Sequence, residues 1–219
     1  MIIIILKIKK FFFFGLIILG LVSCGAPDEI TLPNEKLKVK DKVVIYKKTP
    51  YTGKLLIPLS AKGNTGHISL VNGVLEGVSE LKNEKDGFLL RYNVSGKKFH
   101  GEIIYKGKEG ELTLNTDQGK ITKIKLINLV SKSKYDFTFK DDLANGTFEN
   151  KEGKLNFVNG TALVSDKEGI KKEFKFSIDQ KTWIIKIENV INGKVKSKYE
   201  EPLDFSPKSL EEILFSVIK

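Results

Sequence analysis

Few residues in this chain are able to do chemistry, and their spacing narrows the choice further. Cys24 is the only cysteine among 219 residues, so the chain closes no disulfide of its own and builds no cysteine-rich zinc or iron-sulfur site. His67 and His100 are the only histidines. Both lie in Gly-containing stretches that read as exposed turns, which suits neither a general base nor a metal ligand. Carboxylate neighbours occur at Asp141-Asp142, Glu200-Glu201 and Glu211-Glu212. Adjacent residues on a strand point to opposite faces, so such pairs share neither a proton nor a substrate. No nucleophile elbow, zinc-binding histidine pair, phosphate loop or EF-hand spacing is present. Trp183, in Trp183-Ile184-Ile185-Lys186-Ile187, offers a stacking platform, but a sole Trp among strand aliphatics reads first as core. The expectation is a protein with no catalytic residue, no cofactor and no metal.

Charge narrows the partners. Lys and Arg number 37 against 27 Asp and Glu, a formal +10. Three of the lysines, Lys7, Lys9 and Lys10, fall in a leader segment, and Arg91 is the only arginine. Planar, bidentate recognition of phosphate or guanine favours Arg over Lys, so nucleic acid is not an expected partner. Most lysines alternate with apolar residues, the pattern of a solvated sheet face. Attraction to an anionic surface is the second reading, recognisable by its loss with added salt.

The N-terminus reads MIIIILKIKKFFFFGLIILGLVSC: a positive cluster at Lys7 to Lys10, an apolar run from Phe11 to Val22, then Ser23 before Cys24. That order is a secretory signal with a processing site. The run of about 12 residues makes a helix of about 18 Å, short of the ~30 Å hydrocarbon core, so an uncleaved anchor is the lesser reading. Leu21-Val22-Ser23-Cys24 resembles the lipobox of bacterial lipoproteins. The resemblance implies a signal peptide over 1–23 and acylation of Cys24 as the first mature residue, against the alternative of a buried free thiol. One acyl chain holds a protein marginally and two or three hold it lastingly. Gly25 rather than Asp after the cysteine is similar to lipoproteins sent to the outer membrane of two-membrane bacteria. The expected partner is therefore a membrane, reached through the lipid, together with an envelope protein or other component that the sequence does not identify.

These features need a body to carry them. Residues 24–38, with Pro27 and Pro33 and no clear periodicity, suit a lipidated flexible tether of roughly 20 Å reach. From Val39 onward, short apolar stretches alternate with Gly, Asn and Asp clusters, which predicts antiparallel strands. Tyr135, Phe137 and Phe139 alternate with Asp136, Thr138 and Lys140, and Phe174, Phe176 and Ile178 with Lys175, Ser177 and Asp179. One face is apolar and the other wet. Asn-Gly pairs at 72-73, 145-146, 159-160 and 192-193 supply the positive φ of tight hairpin turns. Gly73, Gly96 and Gly119 recur every 23 residues; Gly146, Gly169 and Gly193 follow at 23 and 24; Gly53, Gly77 and Gly101 form a second series at 24. Hairpins of nearly constant length, stacked in order, account for both series.

Val43-Val44-Ile45-Tyr46, then Thr49-Pro50-Tyr51-Thr52-Gly53-Lys54, with Asn72-Gly73 and Glu76-Gly77, resemble the opening of MORN-like repeat proteins of the YwqK-type antitoxin group over about residues 39–110. The resemblance implies a β-meander of repeated hairpins serving as a binding or scaffold module. A lysine-rich meander is also similar in architecture to single-layer-sheet surface lipoproteins. At the C-terminus, Ser206 and Pro207 open a helix over 207–218, with Leu210, Ile213, Leu214, Val217 and Ile218 on one stripe. A helix this short needs a sheet face to cover. The fold class expected is all-β: an antiparallel β-meander of stacked hairpins over 39–219, open or half-barrel, with one C-terminal α-helix. The function expected is a non-enzymatic envelope lipoprotein acting as a binding or structural module. The alternative is an apolar-ligand carrier whose half-barrel, lined by Phe137, Phe139, Phe174, Phe176 and Trp183, is closed by that helix.

Overall fold

Alternating apolar and polar residues commit this chain to strands, and the turns between them set the architecture. The computed structural model describes residues 26–165, 169–202 and 218. Every regular element in the described parts of 26–202 is a β-strand: β1 (Glu29–Thr31), β2 (Leu37–Lys40), β3 (Val43–Tyr46), β4 (Thr49–Pro50), β5 (Gly53–Ile57), β6 (Asn64–Val71), β7 (Val74–Leu75), β8 (Gly77–Asn83), β9 (Phe88–Ser95) and β10 (Lys98–Phe99) in the first half. The second half holds β11 (Gly101–Gly107), β12 (Gly110–Asp117), β13 (Lys120–Asn128), β14 (Ser133–Lys140), β15 (Leu143–Asn150), β16 (Gly153–Phe157), β17 (Thr161–Ser165), β18 (Lys171–Asp179), β19 (Ile184–Ile191) and β20 (Lys194–Pro202).

The long strands pair antiparallel in near-sequential order. β5 meets β6, β6 meets β8, and β8 meets β9. The meander then runs through β11, β12, β13, β14 and β15. β15 pairs with β16 along one half and touches β18 at Leu143 opposite Ser177, and β17 to β20 complete the sheet. β1 alone adds in parallel, beside β5. β2, β3 and β4 form a separate three-stranded sheet. The main sheet is open rather than closed into a barrel.

In the first half, the glycine spacing becomes a repeated corner. Asn72-Gly73, Gly96-Lys97 and Gln118-Gly119 are hairpin turns whose paired φ values are 51° and 76°, 58° and 64°, and 49° and 80°. Positive φ at both central residues matches the right-handed strand twist. After the first two turns, the two-residue arms β7 and β10 drop Leu75 and Phe99 into the core. Gly77 and Gly101, at φ 90° and 82°, then bend the chain into the next long strand.

Beyond residue 120 the repeat loses this register. Asn145-Gly146, expected as a turn, lies inside β15, and the turn sits at Asp141-Asp142 with φ 50° and 65°. Gly146 stands opposite Phe137, where a Cβ would run into the Asp136 carbonyl oxygen. The glycine there answers a close backbone approach, not a reversal. Asn159-Gly160 and Asn192-Gly193 are turns as expected.

The expected tether is also corrected. Ile30, Leu32 and Leu37 are buried, and Ile30 pairs with Leu55, so the described residues before Val39 belong to the folded part and are not a tether. Single apolar residues among polar ones carry no periodicity, and only their partners on β5 make them core. The expected helix over 207–218 lies outside the described residues except for Ile218, which packs half-buried against the first core cluster.

The core has two centres. The first gathers residues from β1 to β3 and β5 to β13 with Ile178 and Trp183, and the second gathers Phe137, Ala144, Phe157, Ala162 and Phe176. Phe139 and Ile185 pack against both. The turn after β18 ties distant parts of the meander together. The Gln180 side chain accepts from Ile121 N and donates to Ile121 O, both at 2.8 Å, as a strand residue would. Trp183 Nε1 donates to the Gly119 carbonyl at 3.1 Å.

Candidate functional site

Cys24, the expected acylation site, lies outside the described residues, but the chain directly after it is built into the protein. Ala26 packs against the first cluster. Tyr51 follows β4 and is fully buried, with its hydroxyl 3.1 Å from the Pro27 carbonyl, 3.2 Å from Asp28 O and 3.1 Å from Lys54 O. One phenolic proton serves three acceptors, so this hydroxyl clamps the N-terminal segment to β5. Burial and the nearby charges of Asp28 and Glu29 push the Tyr51 hydroxyl above its ordinary value of 10.0, so it stays a donor at neutral pH. Asp28 O also accepts from Lys54 N at 2.7 Å.

The three-stranded sheet lies beside this clamp. Leu37 and Val44 face the core, while Lys38 and Lys40, opposite Ile45 and Val43, take the outer face. Asp41-Lys42 and Lys47-Lys48 form its two turns, with φ of 51° and 62°, and 50° and 86°. Val44 N donates to Gly73 O at 2.8 Å and Gly73 N to Tyr51 O at 2.7 Å, which fixes the sheet to the first repeated corner. A groove of about 240 Å³ runs between them, floored by Val43, Val74, Leu75 and Val94 and rimmed by Lys42 and Lys97.

At the opposite ends of the strands an open groove of about 420 Å³ has Phe88 and Tyr105 on its wall and Asn64, Asn83 and Asp86 on its rim. The rings meet edge to face at 5.8 Å. Its polar groups are engaged in holding the loops. Asn83 Nδ2 donates to Lys62 O and Asn64 Oδ1, its Oδ1 accepts from Lys85 N and Asp86 N, and Asp86 pairs with Lys108 at 2.8 Å. This is a loop-closing network.

The remaining candidates fall apart from one another. His67 lies within β6, opposite Leu56 and Glu80, and not in a turn; the glycine before it marks a close approach to the Glu80 carbonyl, not a reversal. His100 sits at the bend before β11, its Nδ1 3.5 Å from Asp117 Oδ1, both side chains open to water. Asp141 and Asp142 occupy a turn, not a strand. Trp183 is core: its ring lies 5.4 Å from Phe99. Phe137 and Phe176 stack at 4.5 Å with Phe157 edge-on to both, so these rings fill the space between one another. The Tyr51 clamp escaped sequence reasoning. Its only trace was a Tyr in the stretch following β4, and nothing local says which carbonyls it reaches.

Comparison with family models and with curated proteins finds no match for this chain.

Proposed function

We propose that this protein is an envelope lipoprotein, acylated at Cys24, whose open sheet works as a non-enzymatic binding or structural module held close to the membrane. The observation that supports it most is the way the chain after Cys24 is fastened: Ala26 is packed, Pro27 and Asp28 are held by Tyr51, and Ile30 is buried. A lipid on Cys24 would therefore act on the folded sheet directly instead of through a long tether. The leader sequence supplies the rest of the reading, with Lys7 to Lys10, the apolar run and the small residue before the cysteine. The outer membrane is the proposed address, on Gly25.

The stacked aromatic cluster favours a module over a carrier. Of the residues that would line an acyl pocket, Phe137 and Phe176 stack on each other with Phe157 edge-on to both, Phe139 lies 6.1 Å from Phe176, and Trp183 packs on Phe99. The test is intact mass and fatty-acid labelling of the chain isolated from membranes. The expected result is loss of residues 1–23 and acyl mass on Cys24, with Cys24→Ala left unprocessed and unlabelled. An intact leader on an unmodified thiol would refute the anchor. A stoichiometric, non-covalent lipid in the purified chain would turn the reading to the carrier.

A further inference from the structure

Lysines are spread along the whole chain, but their surroundings differ. On the main sheet many face carboxylates: Lys106 meets Glu111 at 3.4 Å, Lys108 meets Asp86 at 2.8 Å, Lys123 meets Asp136 at 3.7 Å, Lys186 meets Asp179 at 3.6 Å and Lys198 meets Glu200 at 3.0 Å. The three-stranded sheet is different. Residues 36–48 carry six lysines and one carboxylate, Asp41, a net five of the seven positive charges left when Lys7, Lys9 and Lys10 are set aside from +10. All six lysines are exposed. Among the described residues, none of their ammonium groups is ion-paired.

The backbone register gathers them. Lys38 and Lys40 share the outer face with half-buried Ile45 and exposed Pro50, while Val43, at its edge, lies against Gly73. Lys42 occupies one turn, Lys47 and Lys48 the other. The outer face is thus a row of ammonium groups interleaved with short apolar side chains. It lies where the proposed anchor leaves the fold. Lys47 Nζ is 5.4 Å from the centre of the Tyr46 ring, that ring is 6.3 Å from the ring of Tyr51, and the Tyr51 hydroxyl is 3.1 Å from Pro27 O. From Pro27 back to Cys24 the chain spans at most about 10 Å.

We propose that the outer face of β2, β3 and β4 docks on an anionic phospholipid surface, its lysines on headgroup phosphates, orienting the sheet on the membrane that holds Cys24. The proposal rests on the anchored reading above, because a short link from lipid to sheet makes this contact intramolecular and lets weak charges count. A lysine near an anionic leaflet weights the docked orientation by about fivefold, and the attraction fades within about 8 Å in physiological salt. A planar, single-site anion receptor would use Arg, and this face has none. Point charges on flexible stems suit a laterally mobile layer of phosphates instead.

The test uses the processed, acylated chain isolated from membranes and reconstituted into vesicles of phosphatidylcholine, or of an equimolar mixture with phosphatidylglycerol. An amine-reactive acetylating reagent and mass spectrometry read the modification rate of each lysine. Lys38, Lys40 and Lys42 are expected to react about tenfold more slowly on the anionic vesicles, an effect abolished by high salt. Lys154 and Lys194, at the far end of the sheet, should react equally on both. In the double variant Lys38→Gln, Lys40→Gln, the slowing of Lys42 should shrink, while Lys154→Gln, Lys194→Gln of the same charge should keep it. Equal rates on both vesicles, or equal loss in the two double variants, would overturn the docking. A bare thiol at Cys24 in the intact mass would overturn the anchor, whereas an acylated chain with unprotected lysines overturns the docking alone.

Discussion

Phe137→Ala is the sharpest test of how this sheet is held together. Phe137 is fully buried, stacked on Phe176 at 4.5 Å and 20° and edge-on to Phe157 at 5.5 Å and 79°. Truncation takes roughly 100–150 Å² of apolar surface out of the core, worth about 3 kcal/mol at ~25 cal/mol/Å². Losing the stacked and edge contacts adds about 1 kcal/mol. The expected loss is therefore about 4 kcal/mol, inside the ~3–5 kcal/mol usual for Phe→Ala in a core, and it lowers the melting temperature by roughly 8–16 °C for a domain of this size. Urea unfolding of the full-length chain measures it by two probes: far-UV circular dichroism for the sheet and the fluorescence of Trp183 for the first cluster. Because Phe139 and Ile185 pack against both clusters, both probes should shift together. A loss under about 1 kcal/mol, with an apolar dye binding where the ring had been, would mean that these rings line a pocket, and the packing argument would fail. A shift in circular dichroism without one at Trp183 would break the coupling between the clusters.

Other perturbations probe the rest of the design. Tyr51→Phe removes the proton shared by three carbonyls; it should cost about 1–2 kcal/mol and speed proteolysis within residues 26–31, and an unchanged cleavage rate there would count against the clamp. Gly146→Ala drives a methyl into the Asp136 carbonyl and should cost more than about 2 kcal/mol. Gly193→Ala, at φ 73° with open space around it, should cost about 1 kcal/mol, and urea midpoints in the reverse order would put Gly146 back in a turn. Asp179 accepts from Lys181 N at 2.9 Å and lies 3.6 Å from Lys186. The Lys181 backbone bond above all, with Thr182 and Lys186, holds its carboxyl below the usual 3.8. Its contribution is then present above the unfolded value and lost as pH falls through the depressed one. Asp179→Asn should flatten the stability curve in that acid window and leave its shape at neutral pH unaltered, and an unchanged acid limb would refute the role of these turn bonds.

Much of this protein could be read locally. Strict alternation from Tyr135 to Lys140 and from Phe174 to Asp179 places the second core cluster, because a strand's side-chain period is two whatever its partner. The series Gly73, Gly96 and Gly119 marks real turns, since paired positive φ is a property of the turn itself. The proposed lipid site at Cys24 likewise rests on residues adjacent in the chain. Gly146 was misread because a glycine needed for a turn and one needed for a close backbone approach look alike until the neighbouring strand is in place.

Residues 26–37 make the same point at the site. Ile30, Leu32 and Tyr51 have no periodicity to announce them, and they become core only because β5 and the Pro27 and Asp28 carbonyls arrive from elsewhere in the chain. In the sequence the lysines of 36–48 alternate with apolar residues as lysines do elsewhere in the chain. That Lys38 and Lys40 face outward from one small sheet, with the others at its start and turns beside the exit of the N-terminal segment, follows from register and packing. Short-range backbone preference and chemical order along the chain are written residue by residue, whereas burial, pairing and the gathering of charge are properties of distance in space.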